Sequence, residues 1–233
     1  MSTTQPFKLV LDYDGVVFKN SHAMQLVSNR SAQYVSKKLK IPYANARMIN
    51  TTRYKIHGHT VKYLQNIGVD TTLEEYNDFV FNHIDWDDIE MNIDNMDYDP
   101  IIDIYLLNKL QNQKCVLFSN APRLWVDKTL EKMGTKQNIL FDEIFTCDSL
   151  EQLKPNKVPY AAIEEHYPDT DLLFIDDSIL NVHGLGKRWK PHWFKQNDTI
   201  FQCGCKMIEK GGYMMPEDDF DTILYPDLEL DAF

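Results

Sequence analysis

Cysteine is scarce in this chain, and the cysteines present do not follow a disulfide pattern. The 233 residues include four cysteines, and only Cys203 and Cys205 are close together. A Cys-Gly-Cys without a second pair is weak evidence for zinc, so we favour free thiols there. Cys115 and Cys147 fall in predicted buried strands, where cysteine acts as a small hydrophobic residue.

Long apolar runs are absent as well. No stretch approaches the roughly 18 apolar residues needed to span a bilayer. The start, Met1-Ser2-Thr3-Thr4-Gln5-Pro6, lacks the basic and then apolar order of a signal peptide. We therefore expect a cytoplasmic protein with no membrane partner.

Positive charge is outweighed by negative charge, with a formal net charge of −11. This balance argues against a surface that binds nucleic acid or anionic lipid, although a local basic patch could still bind a phosphate. The length and the 43% apolar content suit a sizeable core, most simply one domain that carries an insertion. We expect a small molecule as partner, and the oligomeric state is not readable from composition.

The most informative stretch lies near the start, where the apolar run Leu9-Val10-Leu11 leads into Asp12-Tyr13-Asp14-Gly15. Such a run is typical of a parallel strand buried on both faces, and ligands of α/β sheets bind at the carboxyl ends of the strands. Asp12 and Asp14 would share one side of an extended chain, and Gly15 permits a sharp turn. Two acids beside a turn indicate a metal and a phosphate, although an ordinary acidic turn is an equally good explanation of the tetrapeptide alone.

The rest of the chain divides into a helical block and an alternating block. Residues 19–98 show only helical periodicity, with Thr71 or Thr72 as the cap of their last helix. The predicted elements that follow are helix 100–110, strand 114–118, helix 122–134, strand 143–147, helix 157–166, strand 172–175, helix 180–188 and strand 190–195. Alternating strands and helices predict an α/β fold with a Rossmann-like, doubly wound parallel sheet.

This pattern predicts three parts. Residues 1–18 and 99–196 would form the α/β core, and residues 19–98 an inserted, all-helical cap. Residues 197–233 would be an irregular, acidic surface extension, because they lack periodicity and end in many carboxylates.

Polar groups also follow three later strands. Ser119 and Asn120 come after the second strand, at the start of a helix, and offer donors to an anionic oxygen. Lys154 lies in a proline-containing loop after the third, and Asp176 with Asp177 follows the fourth. Each alone is explained as a helix cap, a solvated charge or an acidic turn. Four such groups directly after buried strands are hard to explain in that way.

With these residues in order, the chain resembles the haloacid dehalogenase (HAD) superfamily of phosphotransferases. The family motifs correspond to Asp12 with Asp14, Ser119, Lys154, and Asp176 with Asp177. The helical block lies where subgroup I members carry a helical cap of the C1 type. The sequence around Ser119 and Asp176 is weakly similar to the pyrimidine 5'-nucleotidase branch.

The resemblance implies a role for each site residue. Asp12 would be the nucleophile that forms an aspartyl phosphate, and Asp14 the general acid and base. Haloacid dehalogenases lack this second acid, whereas phosphatases and phosphomutases keep it, so its presence favours a phosphatase or a phosphomutase. Mg²⁺ would be bound by Asp12, Asp14 through its backbone carbonyl, and Asp177, with Asp176 close by. The phosphate would be bound by Ser119, Asn120 and Lys154.

These implications leave alternatives open. The leading expectation is a magnesium-dependent phosphomonoesterase that acts on a small phosphorylated metabolite, with nucleoside monophosphates as one candidate class. A phosphomutase would use the same core, and a non-catalytic binding protein could use the same fold. In the cap, Arg53, Lys55 and His59 are predicted to face the substrate, although a solvated helix end explains them equally well.

Overall fold

The computed structural model describes residues 6–87, 89 and 99–211. Its strands are β1 Phe7–Leu11, β2 Cys115–Phe118, β3 Phe141–Phe145, β4 Asp171–Asp176 and β5 Trp189–Trp193. They form one sheet in the order β3-β2-β1-β4-β5, with parallel pairing throughout. Helices flank the sheet, so the predicted α/β class with a parallel, Rossmann-like sheet is confirmed.

Strand β1 occupies the centre of the sheet, as its apolar sequence predicts. Val10 is paired with Val116 of β2 on one side and with Phe174 of β4 on the other. Leu9 and Leu11 are fully buried in one hydrophobic cluster, whereas Val10 is fully buried in the cluster on the opposite face. Because side chains of a strand alternate between faces, burial on both faces requires a continuous apolar run.

The predicted cap block is helical where the structure describes it. Its helices are α1 Ser21–Leu39, α2 Tyr43–His57, α3 Thr60–Asn66 and α4 Leu73–Phe81. The Asn20 side chain caps α1 by accepting from the Ala23 amide at 2.9 Å, and Thr72 caps α4 by accepting from the Glu75 amide at 3.1 Å. Most of the predicted linker back to the core, residues 88 and 90–98, lies outside the described part of the chain.

The core helices alternate with the later strands. They are α5 Pro100–Gln111, α6 Arg123–Lys132, α7 Gln137–Leu140, α8 Lys157–His166, α9 Ile179–Val182 and α10 Ile200–Glu209. The predicted helix 180–188 is only a single turn, α9, and the third strand begins two residues earlier than predicted. Among the described residues, no helix is both long enough and apolar enough to cross a membrane.

The chain after Gln196 differs from the prediction of an irregular extension, because residues 200–209 form α10. Ile200, Cys203 and Met207 are at most 2% exposed and belong to the main hydrophobic cluster. Their spacing is that of one helical face, and the Thr199 side chain caps the helix by accepting from the Gln202 amide at 3.2 Å. Gly204 lets α10 pack closely on α5, since a Cβ there would lie 2.8 Å from Leu107 Cδ1. Residues 212–233 lie outside the described part of the chain, and the three-part division of the chain stays a prediction.

Candidate active site

The residues predicted for the site meet at one edge of the sheet, because β1, β2 and β4 are adjacent and parallel. Asp12 and Asp14 follow β1, and Ser119 follows β2. Asp176 is the last residue of β4, and Asp177 comes next. The Asp12 amide extends the pairing to β4 by donating to the Ile175 carbonyl at 2.8 Å. The carboxylates are therefore fixed by the sheet rather than by a flexible loop.

Lys154 lies at the centre of this group and is 1% exposed. Its ammonium donates to Asp12 Oδ1 at 2.8 Å, to Asp176 Oδ2 at 2.7 Å and to the Phe118 carbonyl at 2.8 Å. Burial alone would lower the pKa of Lys154, but Asp12 and Asp176 raise it above its usual value. The three protons of the ammonium are all used, so a direct contact with phosphate would require one of these bonds to be exchanged.

Asn120 has a structural role that the sequence did not predict. Its amide pairs with the backbone of Lys154, accepting from the Lys154 amide at 2.8 Å and donating to the Lys154 carbonyl at 3.0 Å. Asn120 thus holds the loop that contains Lys154 and Pro155, called the lysine loop below, against the end of β2. Its predicted contact with phosphate stays a prediction.

The hydroxyl of Ser119 is placed to donate. Ser119 is 2% exposed, and its Oγ accepts from the Ala121 amide at 3.0 Å. Because Oγ accepts in this bond, its own proton can be donated to another acceptor, such as a phosphoryl oxygen of a substrate in the site. The backbone of Ser119 is fixed to β3 by a 2.8 Å hydrogen bond to the Phe145 carbonyl.

The acidic residues Asp12, Asp176 and Asp177 have carboxylate oxygens within 4.8 Å of one another. Asp176 is buried and accepts from Ser178 and Asn181 as well as from Lys154. Asp177 is an exposed residue that lines the cavity beside the site, where an ion can reach it. Desolvation, and then the charge of Asp176, raise the pKa of Asp177 to about 7, although the charge of Lys154 acts in the opposite direction. Hard carboxylate oxygens at this separation suit Mg²⁺.

Gly15 makes room for this cluster. Its φ is +87°, and a Cβ on it would lie 2.2 Å from Asp177 Oδ2. The Asp177 carboxylate therefore packs directly against the turn that follows Asp14. Glycine is therefore needed at position 15 for two reasons: the backbone has a positive φ, and a Cβ would not fit beside Asp177.

Asp14 is held by a residue that sequence reasoning missed. Trp125 in α6 donates from Nε1 to Asp14 Oδ1 at 2.8 Å. Burial raises the pKa of Asp14 to about 6, although the bond from Trp125 and the charge of Lys154 act in the opposite direction. The intervening Tyr13 is fully buried on the core side, where its hydroxyl contacts Thr129 Oγ1 at 2.5 Å.

The predicted cap residues take different positions. His59 is 6% exposed and accepts from the Val61 amide at 3.2 Å, which caps α3, and burial lowers its pKa to about 4. Arg53 is exposed and lies 5.8 Å from the Tyr63 ring, while the side chain of Lys55 lies outside the described residues. A substrate contact by any of them stays a prediction.

The cap also contacts the site through residues that the sequence did not single out for it. A Cβ on Gly58 would lie 2.9 Å from Pro155 Cδ and 3.3 Å from the Lys154 carbonyl, so the end of α2 touches the lysine loop. Tyr54 is 48% exposed. Its hydroxyl group is nevertheless desolvated, which raises its pKa, and the charges of Tyr76, Asp14, Asp12 and Asp177 add to this.

The sequence matches no protein-family model and no curated protein. Solved structures do show similarity over most of the chain. A HAD phosphatase from Thermococcus onnurineus is 16% identical, with 82% of this chain and 87% of that one covered at a TM-score of 0.46. A predicted phosphoglycolate phosphatase from Haemophilus somnus is 16% identical, with 86% and 92% covered at a TM-score of 0.48. An L-2-haloacid dehalogenase is 11% identical, with 83% and 88% covered at a TM-score of 0.44.

These similar structures include phosphatases as well as a dehalogenase. The subgroup with a helical cap and the nucleotidase branch stay predictions.

Proposed function

We propose that this protein is a magnesium-dependent phosphomonoesterase that hydrolyses a small phosphorylated metabolite through an aspartyl phosphate on Asp12. One observation carries the proposal: a buried ammonium fixes Asp12 beside Asp176 and Asp177, while a second acid, Asp14, is held separately by Trp125. A nucleophile with a neighbouring general acid is what phosphate ester cleavage requires. A dehalogenase would have no use for Asp14, since a halide leaves without a proton.

In the first step, a carboxylate oxygen of Asp12 attacks phosphorus and the ester oxygen leaves. Lys154 binds Oδ1 of Asp12, which orients the carboxylate and leaves Oδ2 available for attack. The departing alkoxide takes the proton of Asp14, so an alcohol and an aspartyl phosphate are formed. The pKa of about 6 for Asp14 keeps a useful fraction protonated near neutral pH.

In the second step, Asp14 reverses its role. The carboxylate takes a proton from water, which attacks the phosphorus of the aspartyl phosphate and releases inorganic phosphate. Asp12 is regenerated as a carboxylate, and Asp14 is again protonated for the next substrate. The bond from Trp125 keeps Asp14 in one orientation through both steps.

The carboxylates need a cation for this chemistry. Burial, and then the charge of Asp176, raise the pKa of Asp12 well above its usual value even with Lys154 present. A bound Mg²⁺ would supply the positive charge that keeps Asp12 ionised and neutralises the phosphoryl oxygens. Asp12, Asp177 and the backbone carbonyl of Asp14 would hold it, with Asp176 behind them, and Ser119 would donate to a phosphoryl oxygen.

The space beside the site suits a small substrate. A cavity of about 510 Å³ is lined by Gly15, Lys19, Asp177 and Trp193, among others. This volume is in the ordinary range for small-molecule sites. Tyr54 of the predicted cap does not line this cavity, but it is within electrostatic range of Asp14, Asp12 and Asp177, so we place a further part of substrate selection at the cap.

A screen of phosphorylated metabolites tests the proposal. Phosphate release would be measured for wild type and Asp12→Ala, each in magnesium and in excess chelator. Activity that requires both magnesium and Asp12 supports the proposal; absence of phosphate release from every ester in wild type contradicts it. Adding a trace of a bisphosphorylated sugar separates the alternatives, because only a phosphomutase needs it.

Gly15→Ala should raise the magnesium requirement. The new Cβ would displace the Asp177 carboxylate, and the positive φ adds strain. Removing the support of a metal ligand typically lowers metal affinity by about 10–100-fold, and we expect the magnesium concentration for half-maximal activity to rise within that range. Magnesium titrations of activity would measure it.

Gly134→Ala is the matched control for this variant. Gly134 has a similar φ of +74°, but a Cβ there meets nothing within 4 Å. Both variants should lose roughly 1–2 kcal/mol of stability from backbone strain. An equal magnesium requirement in the two variants would contradict the assignment of Asp177 as a metal ligand.

Trp125→Phe should impair Asp14 while leaving the nucleophile in place. Loss of a hydrogen bond to a charged group costs about 1.5–3 kcal/mol, so turnover of an alkyl phosphate should fall by about tenfold or more. The bond from Trp125 lowers the pKa of Asp14, so its loss should shift the alkaline limb of the pH profile to higher pH. The control is Trp86→Phe, whose ring lies 5.8 Å from that of Trp125; the same pH shift in both variants would argue against the role of Trp125.

A further inference from the structure

A second group of metal-ligand side chains lies on the far side of β4 from the catalytic β1, where β5 meets α10. The Nε2 atom of His192 is 3.2 Å from Asp198 Oδ2 and 3.1 Å from Cys203 Sγ. All three ligand atoms lie within 4.8 Å of one another. The group contains nitrogen, oxygen and sulfur, unlike the oxygen-only cluster at Asp12.

The fold holds each of the three side chains in place. His192 lies in β5, paired with Ile175 of β4. Asp198 Oδ2 also accepts from the Lys195 amide at 2.9 Å, which fixes the carboxylate within its turn. Cys203 is 2% exposed in α10, and its amide donates to the Thr199 carbonyl at 3.1 Å. Little rearrangement is needed before an ion binds, so little entropy is lost.

The dimensions suit a tetrahedral zinc ion. Zinc binds histidine nitrogen and carboxylate oxygen at about 2.0–2.2 Å and thiolate sulfur at about 2.3 Å. At tetrahedral angles these bonds place nitrogen and oxygen about 3.3 Å apart and nitrogen and sulfur about 3.6 Å apart. The observed nitrogen–oxygen separation of 3.2 Å is close to the first value, and the nitrogen–sulfur separation of 3.1 Å is about 0.5 Å shorter than the second, so the Cys203 sulfur would move outwards by about that much when the ion binds.

The same distances argue against a nucleophilic cysteine triad. In such a triad the nucleophile and the carboxylate use opposite nitrogens of the histidine ring. Here Asp198 and Cys203 both approach Nε2 of His192. One ring nitrogen cannot serve both partners well with a single proton, whereas an ion between the three atoms would satisfy all of them.

The surrounding charges are compatible with an ion. Lys19, Lys195 and Lys206 are within electrostatic range of the cluster. These lysines would repel an isolated dication. A zinc ion bound by one thiolate, one carboxylate and one neutral imidazole carries no net charge, so that repulsion is largely cancelled.

We propose that His192, Asp198 and Cys203 bind one zinc ion, with water in the fourth position. Soft sulfur with imidazole selects zinc over magnesium, so the two metal sites would not exchange ions. Binding releases the thiol proton of Cys203 to solvent. The ion would tie the edge strand β5 to α10, the helix that continues the core beyond the predicted boundary at residue 196.

Cobalt titration of the full chain tests this proposal. Cobalt replaces zinc and gives a thiolate-to-metal charge-transfer band, which a carboxylate site such as that at Asp12 cannot give. The titration would use wild type, Cys203→Ser, His192→Gln and Cys205→Ser, in a reductant that does not bind metals. Cys205 is the neighbouring cysteine in the same helix and lies outside the cluster, so its variant is the matched control.

We expect the band to saturate at one cobalt per chain in wild type and in Cys205→Ser, and to disappear when zinc is added. Cys203→Ser should lose the band. His192→Gln should weaken cobalt binding by at least about 10–100-fold, which is the usual loss when a residue that hydrogen-bonds to a metal ligand is removed. Absence of the band in wild type, or its loss in Cys205→Ser instead of Cys203→Ser, would overturn the proposal. Circular dichroism of each variant would show that the chain is folded.

Discussion

Asp12→Asn and Asp14→Asn should fail in different ways. Without the Asp12 carboxylate no aspartyl phosphate can form, so turnover should vanish for every ester. Asp14→Asn keeps the nucleophile and the backbone carbonyl, and loses only the proton donor that Trp125 orients. Turnover of an alkyl phosphate should therefore fall by about 10²–10⁴-fold, the usual contribution of a general acid. The loss with p-nitrophenyl phosphate should be much smaller, because that leaving group needs no proton.

Steady-state turnover of both esters, in magnesium, measures this difference. Asp127→Asn is a suitable control, since Asp127 is an exposed acid in α6 that pairs with Arg123 outside the site. It removes one negative charge without affecting either step. An equal loss on the two esters in Asp14→Asn would contradict its role as general acid. Full activity in Asp12→Asn would overturn the covalent mechanism.

Lys154→Met should have the largest effect on stability. The substitution keeps the volume of the side chain but leaves Asp12 and Asp176 without their shared cation. Breaking a buried ion pair from one side costs about 3–5 kcal/mol. Turnover should also fall by about 10²-fold or more, because a fixed positive charge is lost from the site. Denaturant unfolding at pH 7 and a turnover assay would measure the two effects.

The pH dependence of this variant has a definite sign. Burial already raises the pKa of Asp12, and Lys154 lowers it, so the substitution should raise that pKa further. A carboxyl group with a raised folded pKa binds its proton more tightly in the folded state. The stability deficit of Lys154→Met should therefore shrink as pH falls from 7 through the folded pKa of Asp12. The unfolded pKa of Asp12 is the same in both proteins, so this range ends at the folded pKa of Asp12 in the wild type, which is itself raised and below which Asp12 is protonated in both folded proteins.

Lys8→Met is the matched control. Lys8 is also buried, but its partner Asp142 is 42% exposed at the side chain and can be solvated when the pair is lost. The expected cost is about 0–1 kcal/mol. A loss in Lys154→Met no larger than in Lys8→Met would mean that the carboxylates do not depend on Lys154.

The sheet and its acidic end could be predicted from sequence because their signals are local. Leu9, Val10 and Leu11 form an apolar run that only burial on both faces explains, and the structure places that strand at the centre. Parallel strands bring their carboxyl ends to one edge, so the order of motifs was enough to bring Asp12 and Asp176 together. No detailed contact was needed for that inference.

The remaining features depend on long-range contacts, which leave no local signal. In the sequence, Trp125 is indistinguishable from an ordinary core tryptophan. Its hydrogen bond to Asp14 forms only because α6 lies against the turn after β1. The sequence predicts that Asn120 donates to phosphate, yet its side-chain amide is hydrogen-bonded to the backbone of Lys154, 34 residues later in the chain. Helix α10 was not predicted because Gly204 and the two cysteines are not typical of a helix. The spacing of Ile200, Cys203 and Met207 does indicate its apolar face.

Strand β5 forms one border of the sheet, and its proline has a consequence for association between molecules. The Phe194 amide donates to the Asp176 carbonyl at 2.9 Å, so the alternate amides of this strand point towards β4 and the nitrogen of Pro191 points outwards. Proline has no proton to offer there. The outward edge of β5 therefore lacks a donor at its midpoint and cannot act as a continuous template for a sixth strand from another chain, which protects this edge of the described sheet against edge-to-edge aggregation.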